Sequence, residues 1–146
     1  MLDKAVETEF QRIFPQFAER MSPAGLARLL KNCASVEFKA GRELIRDKMP
    51  TDGIFFILSG EAIIYVEDDE GRTVNLGKVS AGQILGEVSV LSRQMVASST
   101  VQASTNVTTL KLKHQPLESL LTSDETGPAL LDLLSEILAS RLRMAA

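Results

Sequence analysis

The apolar residues of this chain change their period twice. At the start, Val6, Phe10, Ile13, Phe14 and Phe17 recur at spacings of three and four, the pattern of an amphipathic helix. Pro15 falls inside the pattern and predicts a break near Phe14, because proline lacks the backbone donor and restricts its predecessor. Ser22-Pro23 predicts a second start, with Ser22 as N-cap and Pro23 at the first helical position. Leu26, Leu29 and Leu30 give that helix an apolar face.

From residue 36 the period shortens. Val36-Glu37-Phe38 alternates, Ala40-Gly41 reads as a turn, and Leu44-Ile45 opens a short strand. Asp47 to Gly53 is a loop containing Pro50. Ile54–Leu58 and Ala62–Val66 are apolar, β-favouring runs separated by Ser59-Gly60. Asp68-Asp69-Glu70-Gly71 predicts a hairpin tip, and Thr73 to Leu76 returns from it. Gly77, Gly82 and Gly86 punctuate the next stretch. Val96–Ala103 and Val107–Leu112 read as two further strands. Short strands at short intervals predict a β roll, barrel or sandwich.

The ending is helical again. Leu117, Leu120 and Leu121 predict a short helix, and Gly127-Pro128 opens a longer one. Leu130, Leu131, Leu133, Leu134, Ile137, Leu138 and Leu142 cover more than one helical stripe. One stripe suffices for a helix packed on one side of a small domain. The second meets either more of the same domain or another copy of the chain. In the latter case, charged residues at Leu134 and Ile137 convert a dimer to a folded monomer.

At 146 residues the expectation is one domain, residues 1–146. Its helices span about 3–32 and about 115–144 and its β core spans about 36–112, an α+β arrangement. The formal charge of −3 and the lack of a lysine or arginine run argue against a nucleic-acid partner. Cys33 is the sole cysteine, so an intrachain disulfide is impossible and a cytoplasmic setting is expected. Residues 1–7 are too charged for a secretory leader. No apolar stretch is long enough for a membrane-spanning helix, so no membrane partner is expected.

Three segments in the middle resemble the cyclic-nucleotide-binding domain of catabolite activators, kinase regulatory subunits and nucleotide-gated channels. Lys39-Ala40-Gly41-Arg42-Glu43-Leu44-Ile45 looks like the family's opening turn into a strand. Asp52 to Ala62, with Ser59-Gly60-Glu61 at its centre, is similar to the strand-Gly-strand signature. Ala81-Gly82-Gln83-Ile84-Leu85-Gly86-Glu87-Val88-Ser89-Val90-Leu91 looks like the start of the phosphate-binding cassette. The resemblance implies an antiparallel β-roll, a double-stranded β-helix of jelly-roll type, of about eight strands between N-terminal and C-terminal helical pairs.

A cyclic nucleotide offers an anionic phosphate, a ribose hydroxyl and a purine. Backbone amides at a short helix start suit the phosphate, an arginine adds a charge-assisted contact, a carboxylate accepts from the ribose, and a glycine permits close approach. By resemblance, Gly86 and Glu87 match the family's Gly-Glu pair, with Glu87 on the ribose and the amides near Val88 and Ser89 facing the ligand. In the second half of the cassette, Ser98 matches the hydroxyl position and Ser99 the small position. Ala97 stands where the family carries its arginine, and Lys48 stands where many members carry glycine.

The substitution at position 97 has a definite weight. A hydrogen bond to a charged group contributes roughly 1.5–3 kcal/mol, and losing one side of a buried pair costs about 2–5 kcal/mol. Affinity for cyclic AMP or cyclic GMP then falls by roughly one to three decades, unless another cation substitutes. Arg93 is the nearest candidate in the same loop, set against its plainer reading as a solvated loop residue. Arg141 and Arg143 on the last helix are further candidates, although terminal arginines ordinarily just suit the helix dipole.

Other residues carry less. His114 alone cannot build a metal site, and its expected place is a strand-to-helix corner. Cys33 reads as a buried, inert thiol rather than a redox sensor. The Asp68–Glu70 tip lacks the ligand pattern of a calcium loop. Ser98 and Ser99 have no nucleophile elbow and no base, so no catalytic constellation is expected and no cofactor. Two functions follow. One is a stand-alone sensor of a cyclic or related nucleotide, signalling through a protein partner or a homodimer built on the C-terminal helix. The other is a module that has lost its ligand and serves as an interaction or dimerisation unit.

Overall fold

The computed structural model describes residues 2–86 and 97–145, the last five of these as backbone. Two compact units divide the chain: Met1–Ala34 with Leu112–Ala146, and Ser35–Lys111.

The first unit is helical. Helix α1 (Lys4–Ile13) is capped by Asp3, whose side chain accepts from Val6 N. It stops at Phe14, and Pro15 opens α2 (Pro15–Arg20) in its first turn. The predicted break therefore falls where proline puts it. Ser22 caps α3 (Pro23–Lys31) by accepting from Gly25 N at 3.0 Å, with Pro23 in the first turn. Three helices thus stand where a pair was expected, because the break at Phe14 separates two of them. Phe10, Phe14 and Phe17 are fully buried. Phe10 stacks on Phe14 at 5.0 Å, and Phe17 meets both edge-on at 5.6 and 5.9 Å, geometries that suit the ring quadrupoles.

The C-terminal part adds α4 (His114–Leu121) and α5 (Gly127–Ala145). Leu130, Leu133 and Leu134 are buried, Ile137 and Leu138 are half-buried, and Leu131 is 46% exposed. Leu134 is therefore a buried residue. A charge there would damage the fold rather than report on a dimer, and the exposed stripe runs through Leu131 instead. Arg20 and Glu136 tie α2 to α5 by an ion pair.

The second unit is the β core. Among the described residues its strands are β1 (Cys33–Phe38), β2 (Glu43–Ile45), β3 (Gly53–Ser59), β4 (Glu61–Glu67), β5 (Thr73–Ser80), β6 (Ile84–Leu85), β7 (Thr100–Ala103) and β8 (Val107–Lys113). They form two four-stranded sheets, ordered β1-β8-β3-β6 and β2-β7-β4-β5. Consecutive strands β3 and β4 lie in different sheets, as a roll requires. Leu44, Phe55, Ile57, Val79, Leu85 and Val101 belong to the core of this unit. The β4–β5 hairpin closes on Asp68. Its Oδ1 accepts from Glu70 N and Arg72 N at 2.9 and 2.8 Å, and Arg72 Nε donates to Oδ2 at 3.1 Å. The Arg72 backbone bond is the main reason its carboxyl sits below the usual aspartate value.

Two strand boundaries differ from expectation. Gly77 was read as punctuation, yet β5 runs through it to Ser80. Ile64 pairs with Gly77 and Tyr65 with Asn75, which leaves Leu76 as the extra residue of a bulge. The strand expected over Val96–Ala103 starts at a residue, Val96, outside the described ones; from Ala97 onward the strand begins at Thr100, because Ala97 is bonded to a loop instead of a ladder.

Cys33, the first residue of β1, is buried, and its Sγ donates to Leu29 O at 3.4 Å. Burial pushes its thiol from 9.0 up to about 12. Above pH 9 the unfolded thiol ionises while the folded one keeps its proton, so stability present below pH 9 is lost as pH rises toward 12. Urea unfolding on either side of pH 9 should show this loss in the wild type, and Cys33→Ala should flatten it.

Candidate functional site

The two described ends of the cassette are built by backbone. Strand β6 pairs antiparallel with β3, Leu85 opposite Phe55 and Ile84 opposite Phe56. That register carries Gly86 to the start of β3. Gly86 has φ +88°, and a Cβ on it would stand 2.6 Å from Gly53 O. Only glycine meets both the left-handed conformation and the close approach.

Ala97 forms the other end. It is 5% exposed. Its N–H donates to Met49 O at 3.0 Å, and its carbonyl accepts from Lys48 N at 2.9 Å. Asp47 N donates to Thr100 Oγ1 at 3.0 Å, extending the clip by one contact. Lys48 has φ +65°, so this lysine adopts the conformation that glycine usually supplies, at a cost of about 1–2 kcal/mol. Ser98 is exposed and Ser99 half-buried.

Gly86 and Ala97 thus meet one loop, Gly86 at its Gly53 end and Ala97 at its Met49 end. Glu87, Val88, Ser89 and Arg93 lie outside the described residues, as do the side chains of Arg141 and Arg143. His114 opens α4, as its expected corner position required. Its Nε2 lies 3.4 Å from Glu118, and its Nδ1 is buried without a hydrogen-bond partner. Among the described residues no group of three or more histidines, cysteines and carboxylates could hold a metal ion.

The same loop borders a cavity of about 430 Å³ that includes Leu44, Ile45, Phe55 and Lys111. Lys111 was read only as part of a strand. The signal for its direction was present, because alternation along Val107, Thr109 and Lys111 places it on the face that carries the core residue Val107.

The described residues thus form a two-sheet antiparallel roll with a positive-φ glycine at the end of β6 and a small residue clipped ahead of β7. The family model for the cyclic nucleotide-binding domain matches residues 35–124, and the chain belongs to that family. It is 26% identical over 121 residues to the cAMP-activated global transcriptional regulator Vfr of Pseudomonas aeruginosa, covering 81% of this chain and 55% of that protein. A cyclic nucleotide-binding domain from Methylobacillus flagellatus superposes with a TM-score of 0.84 at 23% identity, covering 95% of this chain and 81% of that one. The regulatory subunit of a cAMP-independent protein kinase A from Trypanosoma brucei gives 0.75 at 22% identity, covering 90% and 46%. The chain spans about half the length of the curated relatives it matches. Vfr is named as a transcriptional regulator and the Trypanosoma protein as a kinase regulatory subunit.

Gly86 and Gly41 separate two costs of replacing glycine. Gly41 has φ +93° with nothing within 4 Å of an added Cβ, whereas Gly86 combines its φ with the Gly53 carbonyl. Gly41→Ala should cost about 1–2 kcal/mol from conformation alone. Gly86→Ala should cost clearly more. Chemical denaturation of the two variants measures the difference, and equal losses would remove the β3 contact as a constraint.

Proposed function

We propose that this chain is a regulatory, non-enzymatic domain that senses a cyclic nucleotide or a related anionic nucleotide at low affinity and acts through a protein partner or a second copy. The observation that carries this reading is Gly86. Its positive-φ backbone, seated against Gly53 O, retains the frame from which a cassette starts. The weak affinity follows from Ala97, whose methyl group offers the phosphate no charge. In the family such a domain changes the position of its last helix with ligand, and binding and helix position are then linked.

A second reading has its own support. Ala97 is buried and both its backbone groups are satisfied by the Lys48–Met49 loop, an arrangement also suited to a roll that takes no ligand. A protein named as a cAMP-independent regulatory subunit carries this fold, while relatives named as cAMP-activated are transcriptional regulators about twice as long. No DNA contact is proposed for the residues of this chain. Among the described residues no helix is long and apolar enough to cross a membrane.

Thermal-shift titration with cyclic AMP and cyclic GMP discriminates the two. A hundredfold excess of ligand over Kd stabilises the folded state by about 2.7 kcal/mol. A saturable shift that Glu87→Ala abolishes supports the sensor, and Ala97→Arg should then tighten binding by at least tenfold. No shift at millimolar ligand in either the wild type or Ala97→Arg leaves the interaction module.

The output surface has a separate test. Leu131, which is exposed, and Leu138, which is half-buried, lie seven residues apart, two helical turns, on one face of α5. Glutamate at both positions should leave the fold intact and turn a wild-type dimer into a monomer by analytical ultracentrifugation. A wild type that sediments as a monomer at every concentration would exclude self-association through α5.

A further inference from the structure

The cavity beside the cassette offers a cation, whereas position 97 carries none. Its floor is apolar, with Leu44, Ile45 and Phe55, and its volume of about 430 Å³ falls within the range of small-molecule sites. Lys111 enters it from β8. The ammonium lies 5.4 Å from the centre of the Phe55 ring, close enough for a cation–π contact, and Lys111 has no carboxylate partner among the described residues. The other cation, Arg46, is exposed and faces Glu43 at 3.7 Å. Asp52 is the remaining carboxylate, exposed at the rim. A half-buried lysine that stacks on a ring and has no carboxylate ion-pair partner among the described residues is an available anion site.

Strand order fixes how near this is to the cassette. Lys111 lies on β8, Phe55 on β3 and Leu85 on β6, and these three strands are adjacent in that order. Phe55, which carries the Lys111 ammonium over its ring, pairs directly with Leu85, and Gly86 follows Leu85. The cavity rim also includes Met49 and Gly53, the residues that hold Ala97 and abut Gly86. We infer that Lys111 supplies the phosphate-binding charge that Ala97 lacks, so that the ligand's anion lies over Phe55, displaced toward β8 from the family's usual position. This rests on the sensor reading above and specifies where that sensor holds its anion.

The test uses the full chain, calorimetry, and cyclic AMP, cyclic GMP and AMP as probes. Lys111→Met keeps the aliphatic stem over Phe55 and removes the charge, and Lys111→Arg keeps the charge. Circular dichroism and melting temperature establish that each variant folds. The expected result is wild-type binding of at least one probe, an affinity at least tenfold lower in Lys111→Met, and retention in Lys111→Arg. Adding Ala97→Arg to Lys111→Met should recover the lost affinity, since the anion can return to the cassette. If a probe binds the wild type and Lys111→Met equally well, the sensor reading stands and this inference is overturned. If no probe binds the wild type at millimolar concentration, the sensor reading fails and takes this one with it.

Discussion

Strand β3 runs between β8 and β6 with six consecutive buried residues, Gly53 to Leu58, and much of the roll is positioned by it. A strand buried on both faces has no tolerance for register error, because a slip of one residue exchanges its two faces. Phe55 shows what that register holds. It sits opposite Leu85, meets Phe38 edge-on at 5.7 Å, and carries the Lys111 ammonium over its ring. At the head of the strand, Gly53 presents the carbonyl against which Gly86 must fit. The end of β6, and with it the start of the cassette, is therefore placed by packing in the core and not by the cassette's own side chains.

Much of this was legible in the sequence because each signal had one local cause. Pro15 ends α1 at Phe14, and Ser22-Pro23 starts α3, since capping and proline geometry act over one turn. The apolar run from Ile54 is a strand because it is too short for a buried helix and is closed by Ser59-Gly60. The misplacements arose where a distant backbone decides. Gly77 marks a bulge inside β5 rather than its end, which depends on the pairing with Ile64. Ala97–Ser99 read as part of a strand running to Ala103, yet the donor and acceptor of Ala97 go to Met49 and Lys48, some fifty residues earlier, and no period in the sequence encodes that pairing.

The candidate site was legible only in part, for a related reason. Gly86 and Ala97 could be placed by resemblance, whereas the meeting of both with the 46–53 loop depends on tertiary contact. Lys48 is instructive here. As a sequence position it counted as a departure from glycine, but the chain holds it at φ +65°, so the loop keeps its path and the lysine bears the conformational cost. A side chain can thus diverge from a family pattern while the backbone device it belonged to survives.

That distinction explains why an alanine at position 97 is compatible with an intact roll. The arginine of a cassette answers a ligand's charge, and its contribution, roughly 1.5–3 kcal/mol, is drawn on only when the ligand is bound. What holds position 97 in the folded chain is the pair of backbone bonds to Met49 and Lys48 and the burial of its small side chain, and neither needs a guanidinium. Selection on the fold and selection on the ligand therefore act on different atoms. Family membership fixes the first. The second turns on whether a cation reaches the anion from elsewhere, and Lys111, held over Phe55 by the strand that organises the roll, is placed by the fold itself rather than by the cassette.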